Sequence, residues 1–493
     1  MRVYGCGMQQ IGRTFPAAVA ATLVGAIVVI APGTASGVAP TVGARSGAAF
    51  DPAPVTGQSG SLIAAYSLIA PKGVAKSQLL TRAVTTPGSC PTLTVKDSQS
   101  QTQTLSMTRR SPAPGTGNFF TSVTVCERPM PTKMVSAKVG GKRVPAAIPT
   151  NIDRIALFAD TGCRIEQFRG QVISQDCNDP DQWPLAKIAQ QIANAQPDVI
   201  LNPGDYFYRE ADCPVSLQSS CGGSPPIATG VPFKDTSDLW LKDVIRPMRP
   251  IFPVAPVLML RGNHEACDRG GNGFMLFFDP RPSTAATCAP LSATQAPVAA
   301  TPTWFADLDL IKSRSLRLAN VDSAYGSDGP TQSAWVPTQA KLYQAAANGT
   351  KPQPGRESWL LTHRPIMGHT GSHWLSLDQE LASLGLLGNY NLILSSHIHL
   401  TQAVWMANYP PNLIMGNGGT KLDAAPQPLT SAFPVTATPP FTVPAATDWS
   451  SSTFGFAVAE PGTQANRWRI THLGVDGKKF AGCYAKTRQM TCS

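Results

Sequence analysis

Residues 155–162 read Ile-Ala-Leu-Phe-Ala-Asp-Thr-Gly, five apolar residues in a row and then an aspartate entering a turn. An unbroken apolar run of this length fits a strand covered on both faces, as in the sheet of an α/β protein. Between residues 183 and 195 the spacing changes, and Leu185, Ile188 and Ile192 recur at helical intervals. Strand followed by helix is the order that builds an α/β fold. Working outward, further buried strands are predicted at 199–201, 257–260, 359–361, 392–394 and 413–415. Most are followed within a few residues by chemistry-bearing groups: Asp160-Thr-Gly162, Gly204-Asp205-Tyr-Phe-Tyr208, Gly262-Asn263-His264-Glu265, Thr362-His363 and His397-Ile-His399. Ligands gather at the carboxyl ends of strands in open α/β sheets, so the repeated placement predicts one converging site.

Upstream of this pattern the grammar differs. Over 61–150, short segments such as 92–95 and 121–125 alternate apolar and polar residues between Pro and Gly turns, which predicts a β-sandwich accessory domain with a structural or docking role. Residues 36–60 are rich in Ala, Gly, Pro and Ser and are expected to be a flexible lead. Before them, Arg2 and Arg13 flank an apolar run from Ala17 to Ala31 that ends in the small residues Gly33 and Ala35. This predicts a secretory signal peptide over 1–35; the run is shorter than the roughly 20 residues of a membrane span. Downstream, 454–484 alternates like edge strands and is expected to complete a catalytic domain covering 151–493. The Ala, Thr and Pro stretches at 283–303 and 424–446 are expected to be surface loops.

The 493 residues are enough for two or three units with buried cores, and a charged fraction of 14% beside 42 Gly and 45 Pro points to short elements and ordered loops. Loss of residues 1–35 would remove two arginines and no acid, lowering the formal charge of +10 by two. Lys and Arg form no dense run with interleaved aromatics, which argues against a nucleic-acid partner. Eleven cysteines become ten once Cys6 leaves with the signal peptide. They fall as neighbour couples, Cys90 with Cys126, Cys163 with Cys177, Cys213 with Cys221, Cys267 with Cys288 and Cys483 with Cys492. That suits disulfides in an oxidising compartment, secreted or periplasmic, although spacing alone leaves the connectivity open. None shows the CxxC or Cys/His spacing of structural zinc.

A lone Asp after a strand is more often a turn residue, and a lone His is more often structural. Here four of only seven histidines sit at strand ends with oxygen donors. A single metal needs three or four such ligands; this set can hold two, with Asp205 as the bridging carboxylate.

In order and type, these pieces over about residues 152–422 resemble the calcineurin-like metallophosphoesterase superfamily, and within it the purple acid phosphatase branch. The first motif is Asp160-x-Gly162, as in that branch, and Tyr208 stands three residues after Asp205, where the branch has an iron-binding tyrosinate. The resemblance implies a four-layer sandwich of two mixed sheets flanked by helices. It implies Asp160, Asp205, Tyr208 and His399 around a first ion, Fe(III), and Asp205, Asn263, His363 and His397 around a divalent Zn, Fe or Mn. The alternative for Tyr208 is a packing role beside a Zn or Mn centre. Ser396 departs from the Gly usual before the His-x-His pair.

The implied activity is hydrolysis of a small phosphate monoester by a metal-bridging hydroxide, with Asp205 and His264 catalytic. His264 would serve the leaving group, held by Glu265. A phosphodiesterase of the same superfamily and a non-catalytic secreted binding protein are the alternatives. Arg209 and Arg364 are expected either at phosphate oxygens or in ion pairs. His369 and His373, separated by Gly371, are expected on a loop, at phosphate or at the surface, and Asp322 is expected to be structural.

Overall fold

The computed structural model describes residues 60–72, 76–112, 119–168, 171–213, 217, 219–221, 235–281, 288, 301–325, 336–370, 373–375, 385–406, 408–428, 433–435, 441–443 and 447–493. The expected signal peptide, the lead up to its last residue and most of 283–303 lie outside the described residues.

Three short strands that the sequence reads as buried on both faces, Ile155–Leu157, Val199–Asn202 and Val257–Met259, lie parallel at the middle of an eleven-stranded sheet. Their apolar runs are continuous because neighbouring residues face different cores. Ile155 and Leu157 enter one core while Ala156 and Phe158 enter another, and Val199 and Leu201 likewise diverge from Ile200. On one side, Gly455–Pro461 runs antiparallel to Ile155–Leu157, followed outward by Arg467–Gly474, Lys479–Lys486 and Gln489–Cys492. On the other, Leu62–Lys72 pairs parallel to Val257–Met259 through Leu68↔Val257. Lys76–Thr85, Thr124–Pro129 and Thr108–Arg110 continue the sheet from there. The β-rich N-terminal region is thus present, and four of its strands extend this sheet. Its remaining strands, Thr92–Asp97, Thr102–Ser106, Met134–Val139 and Lys142–Val144, form a four-stranded antiparallel sheet.

A second sheet has seven strands in the order Trp304–Leu310, Arg314–Val321, Arg356–Thr362, Leu392–Ser395, Asn412–Met415, Thr401–Trp405 and Thr447–Ser451. The second to fifth of these are parallel. The inner faces of the two sheets share a core: Leu157, Leu201 and Leu258 from the first meet Leu316, Trp359 and Leu394 from the second. The Trp359 and Trp468 rings close that core edge-on, 4.5 Å apart. Outside the first sheet, the helix Leu185–Asn194 buries Leu185, Ile188 and Ile192, the residues whose spacing predicts it. Each such side chain contributes roughly 1.5–3 kcal/mol by burial, so a charge at Ile188 would detach the helix. Outside the second sheet, the helix Val336–Gly349 buries Tyr343 and Ala346 against Leu360 and Ile393. The layering is helix, sheet, sheet, helix, as expected.

One expectation needs correction. The stretch 424–446 is not all loop: Phe433–Val435 and Phe441–Val443 pair as an antiparallel hairpin. The ten cysteines form five disulfides between sequence neighbours, Cys90–Cys126, Cys163–Cys177, Cys213–Cys221, Cys267–Cys288 and Cys483–Cys492.

Candidate metal centre

Parallel strands from both sheets deliver their carboxyl ends to one place. Asp160 follows Ile155–Leu157, Asp205 follows Val199–Asn202, and Asn263 and His264 follow Val257–Met259. His363 follows Arg356–Thr362, and His397 and His399 follow Leu392–Ser395. Three of these residues leave their strands in the left-handed region, Asp160 at φ 53°, Asp205 at 59° and His397 at 74°. Such conformations cost free energy in non-glycine residues and persist where the surroundings over-determine them. Here the loops are tied to one another: Asp160 N–H donates to Gly204 O, Thr161 N–H to Asp205 O, and His397 N–H to Asp160 Oδ2. Two glycines make the approach possible. A Cβ on Gly162 would lie 2.8 Å from Tyr208 Cδ2 and 2.3 Å from Tyr206 O, and one on Gly262 would lie 2.0 Å from Asp205 Oδ1.

The donors form two groups that share Asp205: Asp160, Asp205 and His399 in one, and Asp205, His363 and His397 in the other. In the first, the Tyr208 hydroxyl lies 2.8 Å from Asp160 Oδ1, 3.0 Å from Asp205 Oδ2 and 3.1 Å from His399 Nε2. In the second, His363 Nε2 lies 3.1 Å from the same Asp205 oxygen and 2.9 Å from Asn263 Oδ1. A single carboxylate oxygen therefore faces both groups. All eight residues expected in the site are brought together, and Asp160, Asp205, Tyr208 and His363 are completely buried.

Burial and neighbouring charges shift these ionisations. Desolvation pushes the Asp160 carboxyl well above the usual range, with the Asp205 charge adding to it. Desolvation also opposes ionisation of Asp205, but His363 and His264 overcome it and hold that carboxyl well below its ordinary value. Burial pushes His363 down to about 4 and His399 well down, so both imidazoles favour the neutral, ligating form. Desolvation and then Asp160 and Asp205 drive the Tyr208 phenol up. Buried carboxylates, a phenol and neutral imidazoles on shared space are a donor set that cations complete. With the family below, they are consistent with a dinuclear metal site.

The surrounding residues differ in part from expectation. Glu265 does not hold His264. Its carboxylate accepts the backbone N–H groups of Asp205, Tyr206, Phe207 and Gly262, locking the loop that carries Asp205. Glu210 takes the expected role, with Oε1 2.8 Å from His264 Nδ1, while Arg269 Nη2 lies 2.8 Å from that nitrogen. The reason is geometric: Glu265 shares a tight turn with His264 and its side chain projects to the other side. The His264 ring lies against that of Tyr208, centroids 3.9 Å apart. Ser396, the departure from the family pattern, places its hydroxyl 2.8 Å from His363 Nδ1 and orients that ring.

Arg209 is buried in an ion pair with Asp243, its Nη2 2.9 Å from Oδ1, so it does not face the site. Arg364 does, with Nη1 3.1 Å from His397 Nε2. Asp322 pairs with Arg261. His369 is on neither the surface nor a loop: it lies in the hairpin Gly368–Thr370 with His373–Leu375, buried, its Nε2 2.7 Å from Asp448 Oδ2. Sequence reasoning missed Glu210, Arg269, Arg164 and Asp423. Only proximity to a motif marks the first, and nothing local marks the others.

The family model for calcineurin-like phosphoesterase matches residues 153–400. No curated protein matches the chain. Among solved structures, PhoD is similar over 87% of this chain and 91% of its own, at 10% identity and a TM-score of 0.50, a likeness of fold. A dimetal phosphatase from Danio rerio aligns over 68% of this chain and 99% of its own, at 10% identity and a TM-score of 0.36. The Plasmodium protein GAP50, the anchor in the inner membrane complex, aligns over 69% and 90%, at 12% identity and a TM-score of 0.38.

Proposed function

The chain belongs to the calcineurin-like phosphoesterase family, and from that premise we propose that it is a secreted phosphatase of the purple acid phosphatase kind, hydrolysing small phosphate monoesters. The observation that carries this is the Asp205 oxygen facing both donor groups, with the Tyr208 hydroxyl within 3.1 Å of three partners in the first. Asp160, Asp205, Tyr208 and His399 would hold a ferric ion; Asp205, Asn263, His363 and His397 would hold a divalent Zn, Fe or Mn. Bound there, the two ions would supply a hydroxide nucleophile at neutral or acidic pH and a positive field for the phosphoryl oxygens.

The chain's own residues supply the rest. His264, gripped between Glu210 and Arg269, donates a proton or hydrogen bond to the leaving alkoxide. Arg364, beside His397, offers a guanidinium to a phosphoryl oxygen. Five disulfides suit an oxidising compartment, which supports export.

Metal analysis together with an absorption spectrum tests this. Freshly purified protein should carry iron and a visible band from a phenolate bound to Fe(III). Tyr208→Phe should abolish the band while sparing much of the hydrolysis. Iron-loaded, oxidised protein that is colourless and unchanged by Tyr208→Phe would place the chain outside the purple acid phosphatase branch, leaving a two-metal phosphoesterase. Faster turnover of bis(p-nitrophenyl) phosphate than of p-nitrophenyl phosphate would overturn the monoester assignment.

A further inference from the structure

Arg164 lies four residues beyond Asp160, outside every motif, yet it reaches the metal centre. Its place is rigid: the neighbouring Cys163 is tied to Cys177, and its backbone N–H donates to Gln175 Oε1 at 2.9 Å. Its guanidinium is divided between two directions. Nη2 is held by Glu166 Oε1 at 2.5 Å, and Nη1 is aimed at His399 Nδ1, 3.3 Å away. The side chain retains 19% exposure, so the head is reachable from solvent.

His399 turns Nε2 inward to the donor group and Nδ1 outward to Arg164 and, at 4.0 Å, to Asp423 Oδ2. A neutral imidazole that gives one nitrogen to an ion carries its proton on the other. With an ion at Nε2, His399 Nδ1–H becomes a donor, suited to Asp423, and no longer accepts from Arg164. The Arg164 Nη1–H then needs another acceptor at the rim of the first ion position. On the other side of the site, Arg364 Nη1 lies 3.1 Å from His397 Nε2.

We propose that Arg164 and Arg364 are the two arms of an anion clamp, one beside each ion position, that binds the phosphoryl dianion of a monoester and disfavours the singly charged diester. The proposal rests on the phosphatase assignment above and names what selects its substrate. Guanidinium matches phosphate oxygens in geometry and remains charged at every working pH. A dianion with three non-bridging oxygens can engage both arms and both ions, whereas a diester offers two such oxygens and half the charge.

The test compares metal-loaded wild type with Arg164→Gln and Arg164→Lys. Inorganic phosphate binding is measured by equilibrium dialysis, kcat/KM is measured for p-nitrophenyl phosphate and bis(p-nitrophenyl) phosphate, and ions per chain are counted in parallel. Arg164→Gln should weaken phosphate binding and monoester kcat/KM roughly 10- to 100-fold, and diester kcat/KM by about 3-fold at most, with both ions retained. Arg164→Lys should recover part of the loss. Unchanged phosphate affinity in an active enzyme overturns the clamp and leaves the phosphatase assignment standing. So does a loss that follows missing ions and lowers both esters alike, since Arg164 would then only support His399. Wild-type protein that takes up no ions overturns the phosphatase assignment itself.

Discussion

Two polar clusters are buried in this molecule, and they are built oppositely. Under the first sheet, Arg82 and Arg110 converge on Glu127 Oε2, each at 2.9 Å. Most of their other N–H groups take carbonyls at or just past the end of the helix Gly271–Phe277: Arg110 Nε and Nη2 donate to Met275 O, Arg82 Nη1 to Phe277 O and Nη2 to Asp279 O, while Arg82 Nε is left without a partner among the described residues. The Tyr66 hydroxyl is a second donor to Phe277 O. Cations at a helix carboxyl end are favourable, so this cluster compensates itself from within the chain. Burial and the nearby Arg82 still push Arg110 down to about 10, the mark of two guanidiniums on one carboxylate. The Asp205 cluster has the reverse composition: carboxylates, a phenol and imidazoles, with few donors aimed inward. A buried cluster whose charges pair within the chain serves the fold, whereas one composed of carboxylates, a phenol and imidazoles is suited to holding cations.

Asp205→Asn separates the two clusters most. It removes the oxygen that faces both donor groups, so both ions should be lost and phosphoesterase activity should fall roughly 10³-fold or more, measured by metal analysis and p-nitrophenyl phosphate hydrolysis. Retention of both ions would show that Asp205 is not shared. Glu127→Ala should do the opposite, leaving two buried guanidiniums without their carboxylate at a cost of about 3–5 kcal/mol in urea unfolding, while folded protein keeps its ions. A loss under 1 kcal/mol would mean the helix carbonyls alone suffice.

A histidine in neither cluster gives a smaller effect. His472 is fully buried among Trp449 and Phe480, and burial pushes it down to about 4 from an ordinary 6.5. The unfolded chain therefore binds more protons between those values. The stability His472 contributes is complete above pH 6.5 and is lost as pH falls toward 4, by up to about 1.4 kcal/mol per pH unit. His472→Gln should flatten the wild-type slope of unfolding free energy over that window, in ion-loaded protein as well. His363, down at about 4 for similar reasons, would instead have its proton position contested by an ion. Parallel slopes for wild type and His472→Gln would contradict the burial effect.

The donors were legible because each follows a continuous apolar strand, a pattern that survives without knowing which strands touch. Glu210 was not legible as the partner of His264. Its identity depends on the turn at Asn263–Glu265, which sends Glu265 back to the amides of residues 205–207. Arg164 was hidden for the same reason: the contact with His399 spans 235 residues. The run 62–70 is nearly as apolar as the central strands, and its buried pattern fits coverage on both faces, but no local feature says that it pairs parallel to Val257.

By itself, then, the sequence pointed to an α/β fold, to five strand ends carrying oxygen and imidazole groups, and to ten cysteines in neighbouring couples, because periodicity and residue chemistry are local properties. Only the tertiary structure decided that Asp205 presents one oxygen to both donor groups, that Ser396 orients His363, that Arg209 turns away to Asp243 while Arg364 turns in, and that the N-terminal strands extend the central sheet. Those outcomes depend on which distant backbones come within hydrogen-bonding distance, and that is set by the packing of two sheets against one shared core.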